Sequence, residues 1–174
     1  MDDVRDILKL AVDKERMRKA AYAEAAEKTD NALAKATFAS LATEEEKHER
    51  YLQVYYDKQM ANEGWPAPEE LGVEDDIMGT VREVFKQATA QIAQAGGLSA
   101  ELTAVYDAGI AAEAESVAFY ADALKQATDP NARKFFEVLV RAEQMHLKLL
   151  SETQEFLDDT SKWFFDEENW IVEG

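Results

Sequence analysis

The sequence predicts an all-α fold, a four-helix bundle with one long crossover connection, and three observations lead there. Gly and Pro number only 7 and 3 in 174 residues, while Ala, Glu, Lys, Leu and Gln are abundant, a mixture that favours helix. Four long stretches repeat apolar residues at alternating spacings of three and four, the period of a helix that buries one face. The breaks between these stretches are short, long and short, which pairs the helices into two hairpins joined by a crossover.

Taken in order, helix one spans about Asp3–Lys28 and helix two about Asn31–Met60. Residues 61–98 form the crossover. Its first part carries Gly64, Pro66, Pro68 and Gly72, which a continuous helix does not accommodate. Ile77–Ala95 reads as a shorter connecting helix ending at Gly96-Gly97. Helix three begins at an N-cap, Ser99, and runs to about Ala127. Helix four opens on Asp129-Pro130, an acidic cap followed by proline at the first helical position, and runs to about Asp158. The bundle is thus expected over residues 1–158 as two helix pairs, 3–60 and 99–158, with a tail at 159–174. A short link within each pair and a long one between them is the ferritin-like topology.

Charge and composition exclude several classes of function. A formal charge of −17, from 36 acids against 19 bases, opposes binding to nucleic acid or to anionic lipid. Without cysteine there is no disulfide, thiolate catalysis or iron–sulfur cluster. The opening Met1-Asp2-Asp3 is acidic where a signal peptide would be basic, and no run of about 18 apolar residues spans a bilayer. The expectation is a cytoplasmic protein with neither nucleic acid nor membrane as partner.

The apolar stripes share one flaw. On helix two the stripe is Phe38, Leu41, Glu45, His48, Leu52, Tyr55 and Gln59; on helix four, Phe136, Leu139, Glu143, His146, Leu150, Thr153 and Leu157. Helix one gives Val4, Leu8, Ala11, Glu15, Arg18 or Lys19, Tyr22 and Ala25. Helix three gives Leu102, Tyr106, Gly109, Glu113, Ser116, Tyr120 and Ala123. Each stripe is interrupted midway by a glutamate. Moreover, Glu15 and Glu113, Tyr22 and Tyr120, Glu45 and Glu143, and His48 and His146 all stand 98 residues apart. The chain has two histidines, and both fall at the same place in this repeat. Glu44, Glu46, Glu49, Glu115 and Glu137 lie off the stripes and read as solvated.

A lone ionised carboxylate in an apolar stripe costs on the order of several kcal/mol unless paired or coordinated. Four in one cross-section repel, and no base in the stripes apart from Arg18 or Lys19 offsets them. Two divalent cations would. Glu45-x-x-His48 and Glu143-x-x-His146 each set a carboxylate and an imidazole on one helical face. One Glu from each of two helices plus Glu-x-x-His from the other two is a di-metal carboxylate set. The predicted metal ligands are therefore Glu15, Glu45, His48, Glu113, Glu143 and His146, with Glu45 and Glu143 bridging. Oxygen ligands with one imidazole per metal suit two iron ions, with manganese or zinc possible. Tyr22 and Tyr120, two turns beyond Glu15 and Glu113, are expected to hydrogen-bond ligand carboxylates.

These residues resemble those of the rubrerythrin family within the ferritin-like superfamily, over roughly Asp3–Asp158. The resemblance rests on Glu15 with Tyr22, Glu45-x-x-His48, Glu113 with Tyr120 and Glu143-x-x-His146. The segment from Ala112 to Tyr120, then Asp129-Pro130 and Phe135-Phe136, adds to it. It implies a di-iron centre that reacts with hydrogen peroxide or oxygen, oxidising ferrous iron and reducing peroxide to water. Two departures stand out. Full-length rubrerythrins carry a cysteine-ligated rubredoxin domain, so a chain without Cys is expected to use a separate small electron carrier. They also carry a further glutamate where this sequence has Ser116, and there the set resembles the bacterioferritin centre. The alternatives are an iron-storage or ferroxidase subunit of a ferritin- or bacterioferritin-like assembly, or a manganese or mixed-metal oxidase.

The tail carries Trp163, Phe164, Phe165, Trp170, Ile171 and Val172, apolar surface expected to pack on the bundle or on a second subunit of a homodimer. Trp65 is expected to anchor the crossover.

Overall fold

A computed structural model describes residues 4–72 and 97–159. They form four long helices, α1 Val4–Lys28, α2 Ala32–Met60, α3 Ala100–Gln126 and α4 Pro130–Asp158, with no strand among the described residues. The fold is all-α, a four-helix bundle. The connecting helix expected at Ile77–Ala95 and the aromatic tail from residue 160 onward lie outside the described residues.

Local chemistry sets the helix starts. The Asn31 side chain accepts from the Ala34 amide at 3.0 Å, and Ser99 Oγ accepts from Leu102 at 3.1 Å. Asp129 accepts from Asn131 at 2.8 Å and Ala132 at 3.2 Å, with Pro130 at the first helical position. Each cap satisfies amides that the first turn leaves without a partner.

After α2 the chain leaves the helix through Asn62, with φ of 57°, and Gly64, with φ of 78°. A short 3-10 turn follows at Pro68–Leu71, a feature the sequence reading did not anticipate. Trp65 holds this segment to the bundle. Its ring packs among Tyr55, Phe135 and Phe136 at centroid distances of 5.2, 6.5 and 5.8 Å, and its carbonyl accepts from Asn131 Nδ2 at 2.9 Å.

Most contact between helices lies within the pairs α1–α2 and α3–α4, and the hairpins meet along α2 with α4 and α1 with α3. Two apolar clusters fill the interior. One joins Tyr22 from late α1, Leu33 and Phe38 from early α2, Tyr106 from early α3, and Leu149 and Phe156 from late α4. The other joins Leu8, Leu52, Tyr55, Tyr120, Phe135 and Leu139 from the opposite ends of the same helices. Late α1 therefore meets early α3, and early α2 meets late α4, so each cross-hairpin pair is antiparallel. It follows that α2 and α3 run the same way. Between the two clusters lies a layer of buried charge.

Candidate metal centre

The layer is built by the four flawed stripes. Glu15, Glu45, Glu113 and Glu143 are fully buried, and His48 and His146 nearly so, at 6% and 1% exposure. One nitrogen or oxygen from each of Glu45, His48, Glu143 and His146 lies within 4.8 Å of the others. The two imidazoles stack with centroids 5.3 Å apart.

The oxygens are divided between the histidines in an ordered way. Glu45 turns Oε2 to His48 Nδ1 at 3.5 Å and Oε1 to His146 Nδ1 at 3.3 Å. Glu143 does the same with Oε1 to His48 at 3.2 Å and Oε2 to His146 at 3.9 Å. Glu15 faces only His48, at 3.8 Å, and Glu113 only His146, at 3.9 Å. Two carboxylates thus face both histidines and two face one each, an arrangement related by the 98-residue repeat.

Tyr22 donates to Glu113 Oε1 and Tyr120 donates to Glu15 Oε1, each phenol crossing to the other hairpin. The crossing follows from the antiparallel α1–α3 pair, because helical side chains lean toward the N-terminus of their own helix. Gly109 leaves room for it. A Cβ there would stand 3.2 Å from Leu150 Cδ1 and 3.5 Å from the Tyr22 hydroxyl.

Of the two bases that the sequence left open, the structure selects Arg18. Lys19 turns outward to Glu49 at 2.5 Å. Arg18 is 8% exposed and its guanidinium reaches Glu15 at 2.5 Å, Glu45 at 3.2 Å, Glu143 at 3.5 Å and Glu113 at 3.9 Å. It also donates to the Ser116 hydroxyl, whose residue is its own counterpart 98 positions on. This contact was missed in the sequence, although both residues sit one turn past the ligand glutamates. Two off-stripe acids also differ from expectation. Glu44 is buried at 7% exposure against Lys47, and Glu49 is half-buried between Arg16 and Lys19, so neither is simply solvated.

Crowding splits the protonation of the carboxyls. Burial, with Glu45 alongside, pushes Glu15 from 4.5 up to about 7. Burial and the charges of neighbouring glutamates also raise Glu113 and Glu143. Burial works against ionised Glu45 too, but hydrogen bonds from Glu15, His146 and His48 hold it well below the usual range. His48 is raised despite burial, because Glu143, Glu15 and Glu45 surround it. Both tyrosines are raised by burial and by the carboxylates they touch, so they remain donors.

The residues present fit a divalent cation. His48 Nδ1, Glu113 Oε2, both Glu143 oxygens and both His146 nitrogens are buried without a hydrogen-bond partner. Native interiors hold few such atoms, and coordination of metal accounts for a cluster of them.

A four-helix bundle with a buried glutamate–histidine group that could hold metal is the arrangement of the carboxylate metalloproteins built on such bundles. The Rubrerythrin family profile matches residues 6–154, and the chain belongs to that family. Neither the curated proteins nor the solved structures contain a match to it. Among the described residues no helix is long and apolar enough to cross a membrane.

Proposed function

We propose that the chain is a di-iron oxidoreductase that reduces hydrogen peroxide at the expense of ferrous iron. The observation that supports this most is the division of oxygens, with Glu45 and Glu143 each facing both histidines while Glu15 and Glu113 face one apiece. In this reading Glu45 and Glu143 would be shared between the metals, and Glu15 with His48 and Glu113 with His146 would hold the two ends. Iron bound there would supply two one-electron oxidations, ferrous to ferric, while peroxide takes up two electrons and two protons and leaves as two waters.

The protein's own contribution is containment and orientation. Fully buried carboxylates keep bulk water out. Tyr22 and Tyr120 hold Glu113 and Glu15 by one oxygen, which fixes the other for a metal. Arg18 and His48 are the least buried members of the set, and a small oxidant approaches from their side. The 174 residues contain no cysteine to carry electrons, so a small electron carrier is the proposed reductant and a homodimer the proposed working form.

The test is anaerobic loading with ferrous iron followed by rapid mixing with peroxide or with oxygen. About two irons per chain and faster oxidation by peroxide are expected. Faster oxidation by oxygen would replace this reading with a ferroxidase. Ser116 favours that second reading, since a serine stands where a further carboxylate would enrich the centre in oxygen ligands. A mass in light scattering far above a dimer would point to a storage assembly. Metal analysis of protein from its native host separates iron from manganese or zinc.

A further inference from the structure

Among the described residues, the one permanent positive charge inside the layer of four buried carboxylates is the Arg18 guanidinium. It is spread over the whole set rather than given to one partner. Nη2 lies 2.5 Å from Glu15 Oε2 and 3.5 Å from Glu143 Oε2, and Nε lies 3.2 Å from Glu45 Oε1 and 3.9 Å from Glu113 Oε2. Three of these oxygens also face a histidine. Glu15 Oε2 faces His48, and Glu45 Oε1 and Glu143 Oε2 face His146. The fourth, Glu113 Oε2, is buried without a hydrogen-bond partner. The guanidinium and entering metal therefore need the same oxygens. Its remaining nitrogen, Nη1, donates to the Ser116 hydroxyl, a neutral group outside the ligand set. The carboxylates are at 0% exposure while Arg18 keeps 8%, so the guanidinium reaches the layer from its edge.

We propose that Arg18 is a displaceable internal cation: it holds the four carboxylates together in the metal-free chain, competes with divalent cations for the whole set, and turns out of the layer as they bind. The assignment rests on the metal reading above. Arg18 is here a positioning residue that acts through the carboxylates. Without an offsetting charge, carboxylates buried this closely repel one another and disfavour the fold. With a dication in place the same guanidinium is a liability, because a unit charge about 4 Å away changes affinity by at least about tenfold even under water-like screening. Arginine cannot relieve that repulsion by losing its proton. It has to move.

The experiment compares metal-free full chains by thermal melting and by titration with Co²⁺ against a chromophoric chelator. Arg18→Gln should melt several degrees below wild type without metal, yet bind Co²⁺ at least about tenfold more tightly. An arginine that only supports the fold would lower both on removal. Arg18→Lys, which keeps the charge and loses the planar fork, should bind Co²⁺ more nearly as wild type does. Lys19→Gln removes the same charge from the neighbouring residue, which turns outward to Glu49, and should leave Co²⁺ affinity within about twofold. Displacement is read in the wild type by phenylglyoxal labelling and peptide mass spectrometry. Arg18 should be protected without metal and react severalfold faster with Co²⁺ bound, while the other arginines keep their rates. Unchanged or weaker binding in Arg18→Gln, an equal gain in Arg18→Lys or Lys19→Gln, or an Arg18 that stays protected in the loaded chain would overturn the proposal. Should Arg18→Gln not fold, the labelling decides alone. If neither wild type nor Arg18→Gln binds Co²⁺, the metal reading itself falls; if both bind it with one affinity, only the role of Arg18 does.

Discussion

Tyr22 and Tyr120 tie each hairpin to the other's private glutamate, and their loss should be felt as metal affinity rather than as folding. Tyr22→Phe should weaken the Glu113 half and Tyr120→Phe the Glu15 half, each by about tenfold, since partners of ligand residues typically carry 10–100-fold. Chelator competition measures this, while helical circular dichroism should be unchanged. Gly109 sits beneath the same contact. Gly109→Ala gains about 1 kcal/mol of helix propensity but inserts a methyl 3.2 Å from Leu150 Cδ1 and 3.4 Å from the Tyr22 ring. Overpacking costs about 1–3 kcal/mol, so a net loss of about 1 kcal/mol in urea unfolding is expected. Either residue type alone says little in a sequence. A glycine in a helix reads as a weak point, and only the position of Tyr22 on the facing helix explains it.

At the scale of elements, the caps and the stripes were open to reading because they are local. Ser99, Asp129 and Asn31 stand at the starts of α3, α4 and α2, and hydrogen bonds within three residues decide them. Asp129→Ala should lower stability by about 1 kcal/mol, read as a shift in urea midpoint, and leave metal stoichiometry unaltered. The glutamates and histidines were legible for a different reason, because a polar residue recurring at one offset in an apolar stripe has no packing explanation. The choice between Arg18 and Lys19 was not legible. Both lie near the edge of the α1 stripe, and a rotation of α1 by a fraction of a turn, set by the packing of Leu8, Ala11 and Tyr22, sends one inward and the other to Glu49.

For the whole molecule, the buried layer works against the two apolar clusters unless its charge is offset. Glu15 has a folded pKa of about 7 against 4.5, so it contributes stability that is present below 4.5 and lost as pH rises through 7. Glu113, Glu143 and His48 are also raised, and they act in the same direction. Glu45 is depressed, so its contribution is lost only in acid. Metal-free protein should therefore melt at progressively lower temperature between pH 5 and pH 8. Divalent metal should reverse the trend, because its binding displaces protons from these carboxyls and strengthens as pH rises. Differential scanning calorimetry with and without metal at several pH values checks both signs. A metal-free melting temperature that rises over this range would contradict the charge layer described.

The two hairpins could in principle be supplied as two identical chains, since each brings one private glutamate, one shared glutamate, one histidine and one tyrosine. Identical chains, however, must repeat whatever stands at the position of Arg18, giving either two guanidiniums against four carboxylates or none. Carrying both copies on one polypeptide is what permits residue 18 to be arginine and residue 116 serine. Covalent linkage here is thus a licence for an odd number: it lets a twofold frame set one guanidinium against four carboxylates.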